Sequence, residues 1–171
     1  MNKLYIADMT RYNGKANNWV KKFHKYFRCS QCVNNKLLNI IYRFLYHNIK
    51  QKHGIEISYK TKIGRGLYLG HPYNITINEN AVIGDNCNIH KGVTIGQENR
   101  GKRKGSPVIG NCVWIGVNST IVGKCNIGSD VLIAPNSYVN CDIPDHSIVF
   151  GNPCIIKSKE YATEGYINNI S

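Results

Sequence analysis

The sequence predicts a mainly β protein: a triangular solenoid of six-residue repeats behind a short, basic, helical N-terminal segment. Three observations carry this expectation. Branched apolar residues recur at every sixth position from Ile57 onward. A small or β-branched residue sits four positions after most of them. Most of the excess positive charge lies in the first 53 residues, which hold 11 of the 22 Lys and Arg against a single acid, Asp8.

Residues 1–53 are read as the N-terminal basic helical segment, with the helices themselves at 17–52. "NNWVKKFHKYF" and "KLLNIIYRFLYHNIKQ" place Leu37, Ile41, Phe44, Leu45 and Ile49 at helical spacing. Gly54 then provides a helix stop. The helices are expected to cover the first coil, whose open edge would otherwise recruit further strands. Cationic helices bearing Trp19, Phe23 and Phe27 suit an anionic membrane surface. They lack a groove-reading motif, so a nucleic-acid partner is not expected. No apolar run reaches the ~20 residues that span a bilayer. "MNKLYIADMTRYNGK" has no apolar core of a signal peptide. The expected location is cytoplasmic, peripheral at the inner face of the membrane. Cys29 and Cys32 form one CxxC with no second pair, so no metal site is expected.

Residues 54–157 carry the repeat. The first run is Ile57, Ile63, Leu69 and Ile75. After a two-residue slip come Ile77, Ile83, Ile89 and Ile95; then, after an interruption, Ile109, Ile115, Ile121, Ile127, Ile133 and Val139. No helix has a period of six. Three such hexads make one coil of about 18 residues, with each apolar residue stacked on the coil below. Thr61, Ala81, Cys87, Val93, Val113, Ser119, Cys125, Val131 and Ser137 take an inward slot too narrow for a large side chain. Cys87 and Cys125 are therefore core filler. The polar, basic stretch at 97–108 does not fit a coil wall and is read as an extruded loop carrying Arg100, Lys102, Arg103 and Lys104. "DIPDHSIVFGNPCIIK" leaves the beat and closes the last coil, and 158–171 is a tail.

The segments "IEISYKTKIGRGLYLGH", "VTIG", "SPVIG", "VWIGVNSTIVG", "IGSDVLIAPNSYV" and "IPDHSIVFGNP" resemble the hexapeptide-repeat acyltransferases. Within that superfamily they resemble the serine acetyltransferase branch and its relatives that acetylate sugars in surface polysaccharide synthesis. The resemblance implies a left-handed parallel β-helix, acetyl-coenzyme A as acyl donor, no metal, and a homotrimer with active sites in the grooves between subunits. It implies His71 as the general base that takes a proton from the attacking hydroxyl, and Glu56 as the acid that supports it. The two are separated by less than one coil of chain, so they should meet near one corner, the carboxylate accepting the ring's other N–H.

Serine acetyltransferases grip serine with an Asp just before the catalytic His and an Arg-His pair before the loop-ending Pro. Here those positions carry Gly70, Gly105 and Ser106. An amino acid needs its two charges countered, so the expected acceptor is a sugar or glycan-precursor hydroxyl, touched by Tyr73, Asn74, Ser106 and His90. Serine is the alternative, and a non-catalytic β-helix scaffold a more remote one. A zinc enzyme of the γ-carbonic anhydrase type is disfavoured, because His71, His90 and His146 include no pair close together along the chain. The resemblance places acetyl-coenzyme A along Gly96, Gly116, Val117, Asn118, Pro135 and Asn136, with Lys157 or the basic loop meeting its phosphates. Trp114 is read as a packing residue.

Overall fold

The computed structural model describes residues 2–171. It begins with three helices, α1 (Lys3–Arg11), α2 (Asn18–Cys32) and α3 (Lys36–Lys52). Each starts at an asparagine whose side-chain oxygen accepts from the first turn: Asn2 from Leu4, Asn17 from Val20, Asn35 from Leu38. Gly54 follows α3 with φ +62°, a left-handed helix ending that a side chain would strain.

The coils follow. The first is β1 (Ile55–Ile57), β2 (Lys62–Ile63) and β3 (Tyr68–Gly70). The second is β4 (Ile75–Ile77), β5 (Val82–Ile83) and β6 (Asn88–His90). The third is β7 (Thr94–Gly96), β8 (Val108–Ile109) and β9 (Val113–Ile115), and the fourth β10 (Thr120–Val122), β11 (Asn126–Ile127) and β12 (Val131–Ile133). The last holds β13 (Tyr138–Val139) and β14 (Ser147–Phe150), against which β15 (Ile155–Ser158) turns back antiparallel.

Corresponding strands stack into three parallel faces: β1-β4-β7-β10-β13, β2-β5-β8-β11, and β3-β6-β9-β12-β14. The result is a left-handed β-helix of about five turns. All fourteen apolar residues of the hexad series are buried, and so are the nine small inward residues. Stacked isoleucines thus form one continuous core column, whose stability comes from apolar area removed from water. Register pairs Ile77 with Ile95, an even three hexads on, whereas Ile55 pairs with Ile75, a longer step along the chain. The two-residue slip in the sequence is this longer first coil. Its extra length falls at the corner His71–Asn74, where both end residues have positive φ.

Asparagines in the left-handed conformation sit over glycines of the coil before: Asn74 over Gly54, Asn86 over Gly66, Asn118 over Gly92. A Cβ on any of these glycines would run into the amide oxygen above it. The segment between β7 and β8 leaves the wall as a loop, closed at its base by paired backbone hydrogen bonds between Glu98 and Gly105. Arg103 returns from it to Asp142 at 3.0 Å.

The helices cover the open end of the prism through Phe23, Phe27 and Tyr46, which join the core of the first coil. The Tyr46 hydroxyl donates to the Ile57 carbonyl at 2.9 Å. Here the structure corrects the sequence reading. Phe23 and Phe27, expected on a membrane-facing surface, are buried instead. Of the α3 stripe, Leu37, Ile41 and Phe44 point to solvent, and among the described residues of α3 only Tyr46 is buried. The coil mouth is narrow and the α2 rings already fill it.

Helix α1 has no counterpart in the sequence reading. It docks through a sealed polar network. Asp8 accepts two bonds from Arg28, at 2.8 and 2.9 Å, one from His24 Nδ1 at 3.0 Å, and one from the Leu67 N–H. The tail folds back along the β3-β6 side: Asn88 Nδ2 donates to the Tyr166 carbonyl, Arg11 Nε to that of Asn168, and the Ser171 N–H to Asn86.

Candidate active site

His71 lies at the edge where the β3 face turns into the β4 face. Its φ of +49° is uncommon for a residue with a side chain and is set by the long corner. The ring is exposed and makes no hydrogen bond among the described residues. It borders a hollow of about 500 Å³. Tyr12, Trp19, Tyr73, His90, Trp114 and Tyr166 are among its lining residues. The α1–α2 turn and the returning tail thus build part of the site. Neither contribution is legible in the sequence, because both depend on long-range packing. No Asp or Glu is among the described residues that line the hollow.

Beneath the site, the Tyr12 hydroxyl accepts from the Leu69 N–H at 2.9 Å and lies 3.0 Å from His24 Nε2. The Asp8 network is therefore tied to β3 two residues before His71. Burial alone would raise the Asp8 pKa. The hydrogen bonds and charges of His24 and Arg28 outweigh that and hold it below the usual carboxylate range. Burial pushes the Tyr12 phenol far up, so the hydroxyl stays neutral.

Of the four expected acceptor residues, Tyr73, Asn74 and His90 fall at this corner. Tyr73 and His90 line the hollow. Asn74 packs its amide over Gly54 instead, as part of the asparagine–glycine ladder. Tyr73 leans on His53, which is stacked on Trp19 with ring centroids 3.7 Å apart. Ser106 does not reach the hollow; its hydroxyl donates to Asn78 Oδ1 at 3.1 Å, at the base of the loop.

Glu56 is also elsewhere. It projects outward from the middle of β1 into a depression shared with Arg43, His47 and Lys50. Among the described residues, no hydrogen bond joins it to His71. The expected contact fails because the first coil is two residues longer than a regular one, and because His71 belongs to the corner while Glu56 belongs to the face.

The residues expected along acetyl-coenzyme A divide in the same way. Gly116, Val117 and Asn118, then Pro135 and Asn136, occupy successive turns of the edge that carries His71, joined by the Asn136 N–H to the Val117 carbonyl. Gly116 packs on the Pro135 backbone, and no side chain fits between them. Asn118, Pro135 and Asn136 are exposed. Gly96 lies at the far end of β7, and Lys157 on β15, its ammonium 5.6 Å from the Phe150 ring centroid.

A parallel prism with a histidine at one edge and a rail of small residues running on from it is the architecture of a hexapeptide-repeat acyltransferase. The family model "Bacterial transferase hexapeptide (six repeats)" matches residues 106–141. The Helicobacter pylori serine acetyltransferase is 34% identical over 74% of this chain and 74% of its own. The Synechococcus elongatus serine acetyltransferase is 32% identical over 74% of this chain, which spans 52% of that longer relative. Among solved structures, the Neisseria gonorrhoeae serine acetyltransferase in complex with serine superposes with a TM-score of 0.70 at 27% identity, covering 91% of this chain and 68% of that one.

The chain belongs to the serine acetyltransferase family, and it is an acetyl-coenzyme A-dependent acetyltransferase. This corrects the expected acceptor. The sugar or glycan hydroxyl, and with it a place in surface polysaccharide synthesis, follows only from the residues at Gly70, Gly105 and Ser106. The relatives are serine acetyltransferases instead. Loss of a family's charged residues shows only that those residues are missing.

Proposed function

We propose that the protein transfers the acetyl group of acetyl-coenzyme A to the hydroxyl of L-serine, with His71 as general base. The observation that carries this reading is His71 itself, exposed over a hollow at the head of the small-residue edge, in a chain with serine acetyltransferase relatives. A serine hydroxyl is too weak a nucleophile at neutral pH unless a base takes its proton as the oxygen bonds to the thioester carbon. His71 receives that proton and returns it to the departing sulfur. The products are O-acetylserine and free coenzyme A, with the imidazole neutral again. Backbone N–H groups of the edge hold the oxyanion. Gly116, Val117, Asn118, Pro135 and Asn136 line the path of the pantetheine.

The working unit is a homotrimer, in which the groove beside His71 is completed by a neighbouring copy. Glu56 and Ser106, which lie off the hollow in a single chain, act in that groove. The test is release of free thiol from acetyl-coenzyme A with and without L-serine. Thiol release that does not depend on serine overturns the reading.

We also infer that the helical cap rests on an anionic lipid surface. Leu37, Leu38, Ile40, Ile41 and Phe44 form an exposed apolar face on α3, Leu37 at 69% and Phe44 at 64% exposure. Lys36, Arg43, Lys50 and Lys52 lie on the same helix. The only acid in the segment, Asp8, is sealed inside. A second copy would set like charges against each other, whereas lipid phosphates complement them.

A further inference from the structure

We propose that His90 determines acceptor specificity: its Nε2 accepts a hydrogen bond from the ammonium group of the amino-acid acceptor while His71 works on the hydroxyl. This rests on the serine reading above. His90 sits at the end of β6, in register with Gly70 at the end of β3, so it stands one coil beyond the residue that precedes His71.

The ring's chemistry is fixed by its surroundings. His90 Nδ1 lies 3.0 Å from the Ile115 carbonyl oxygen. A carbonyl only accepts, so Nδ1 carries the hydrogen, and in the neutral ring Nε2 carries a lone pair. Trp114 packs against the ring, centroids 4.6 Å apart. Burial keeps the imidazole below its usual range, the Ile115 bond opposes this, and a charge on His71 adds to the depression. A neutral acceptor at physiological pH is the outcome.

Gly70 explains how that nitrogen gets there. A Cβ at position 70 would collide with Cδ2 and Nε2 of His90. The ring edge therefore fills the volume in which a side chain at 70 would begin, next to His71. A polar group at this place is supplied by the following coil, not by residue 70 itself.

The remaining lining leaves the ammonium to uncharged acceptors such as His90. With no carboxylate among the described lining residues, an ammonium entering the hollow meets only neutral acceptors. Arg11 is not free to pair with a carboxylate; it donates to Asn168 O, Gly66 O and Asn88 Oδ1. Lys15 is exposed at the rim and is placed to take that role. The hydroxyl and ammonium of serine are on adjacent carbons, which suits two neighbouring imidazoles.

The test is steady-state kinetics of the full chain and of His90→Leu and His90→Gln. The acceptors are L-serine and 3-hydroxypropionate, which keeps the hydroxyl and carboxylate but lacks the ammonium. A hydrogen bond to a charged group predicts a serine KM about 10–100-fold higher in His90→Leu. The acetyl-coenzyme A KM should stay within about two-fold, 3-hydroxypropionate turnover should hardly change, and His90→Gln should recover part of the loss. An unchanged serine KM, or equal losses on both acceptors, overturns the role of His90 while leaving serine as acceptor. A wild-type chain inert toward serine overturns both.

Discussion

His90 lies over Gly70 so closely that the glycine has no room for a methyl group while the ring stays where it is. Gly70 is not among the residues of positive φ, so its backbone suits any amino acid. Gly70→Ala therefore tests the contact without straining the chain. The ring must tilt away from the corner and carry Nε2 with it. The expected result is a several-fold rise in serine KM, an unchanged acetyl-coenzyme A KM and an unchanged far-ultraviolet circular dichroism spectrum. Wild-type kinetics in this variant would mean that the place of the ring does not matter.

Replacing His71 removes the base and leaves the binding surfaces. General-base catalysis by one positioned group contributes about 10²–10⁴-fold. His71→Asn, which keeps a side chain compatible with left-handed backbone, should lower kcat by that order. The acetyl-coenzyme A KM should move by less than about two-fold. A variant retaining a tenth or more of the wild-type rate would remove His71 from the proton-transfer step.

The repeat is legible because a six-residue period has one physical solution: the isoleucines and the small residues both have to face inward, and all of those named do so. The longer first coil is also written there, as the slip between Ile75 and Ile77. Its consequence is not. The extra residues separate His71 from Glu56, and period counting gives no corner geometry. Helix α1 escapes the sequence reading for a different reason. Its buried residues are Asp8 and Arg11, not a stripe of apolar ones, so nothing in its periodicity signals an inward face. Asp8, the lone acid in a cationic segment, is the available clue that a carboxylate is needed inside.

Asp8 should govern the acid stability of the helical cap. Its folded pKa lies below the unfolded value of about 3.9. Its contribution is therefore complete above that value and is lost as pH falls through the lower, folded one. Helical signal should accordingly drop below about pH 4. Asp8→Asn leaves Arg28 buried without its carboxylate, a change that costs about 3–5 kcal/mol. The measurement is urea denaturation at neutral pH, followed by an acid titration. The variant should be less stable at neutral pH and should lack the Asp8 part of the acid transition. A loss under about 1 kcal/mol would mean that the backbone carbonyls of Ile63 and Gly64, which Arg28 also reaches, are enough to hold it.

The α3 face gives the last prediction. Ile41 and Phe44 are exposed at 45% and 64%, so replacing both with serine removes little packing from the fold. Melting temperature should move by no more than a few degrees, since surface changes away from the core are usually within about 0.5 kcal/mol each. Membrane affinity should fall much further, because each of these side chains would bury apolar area in the lipid interface. Wild-type protein should sediment with vesicles rich in phosphatidylglycerol and not with pure phosphatidylcholine. Binding should weaken between about 50 and 500 mM salt, as the screening length shrinks from above to well below about 10 Å. Ile41→Ser/Phe44→Ser should cut the bound fraction several-fold at low salt. If the double variant binds like wild type, the contact is made by charge alone and the apolar face has another use; if neither protein sediments, the cap does not rest on lipid at all.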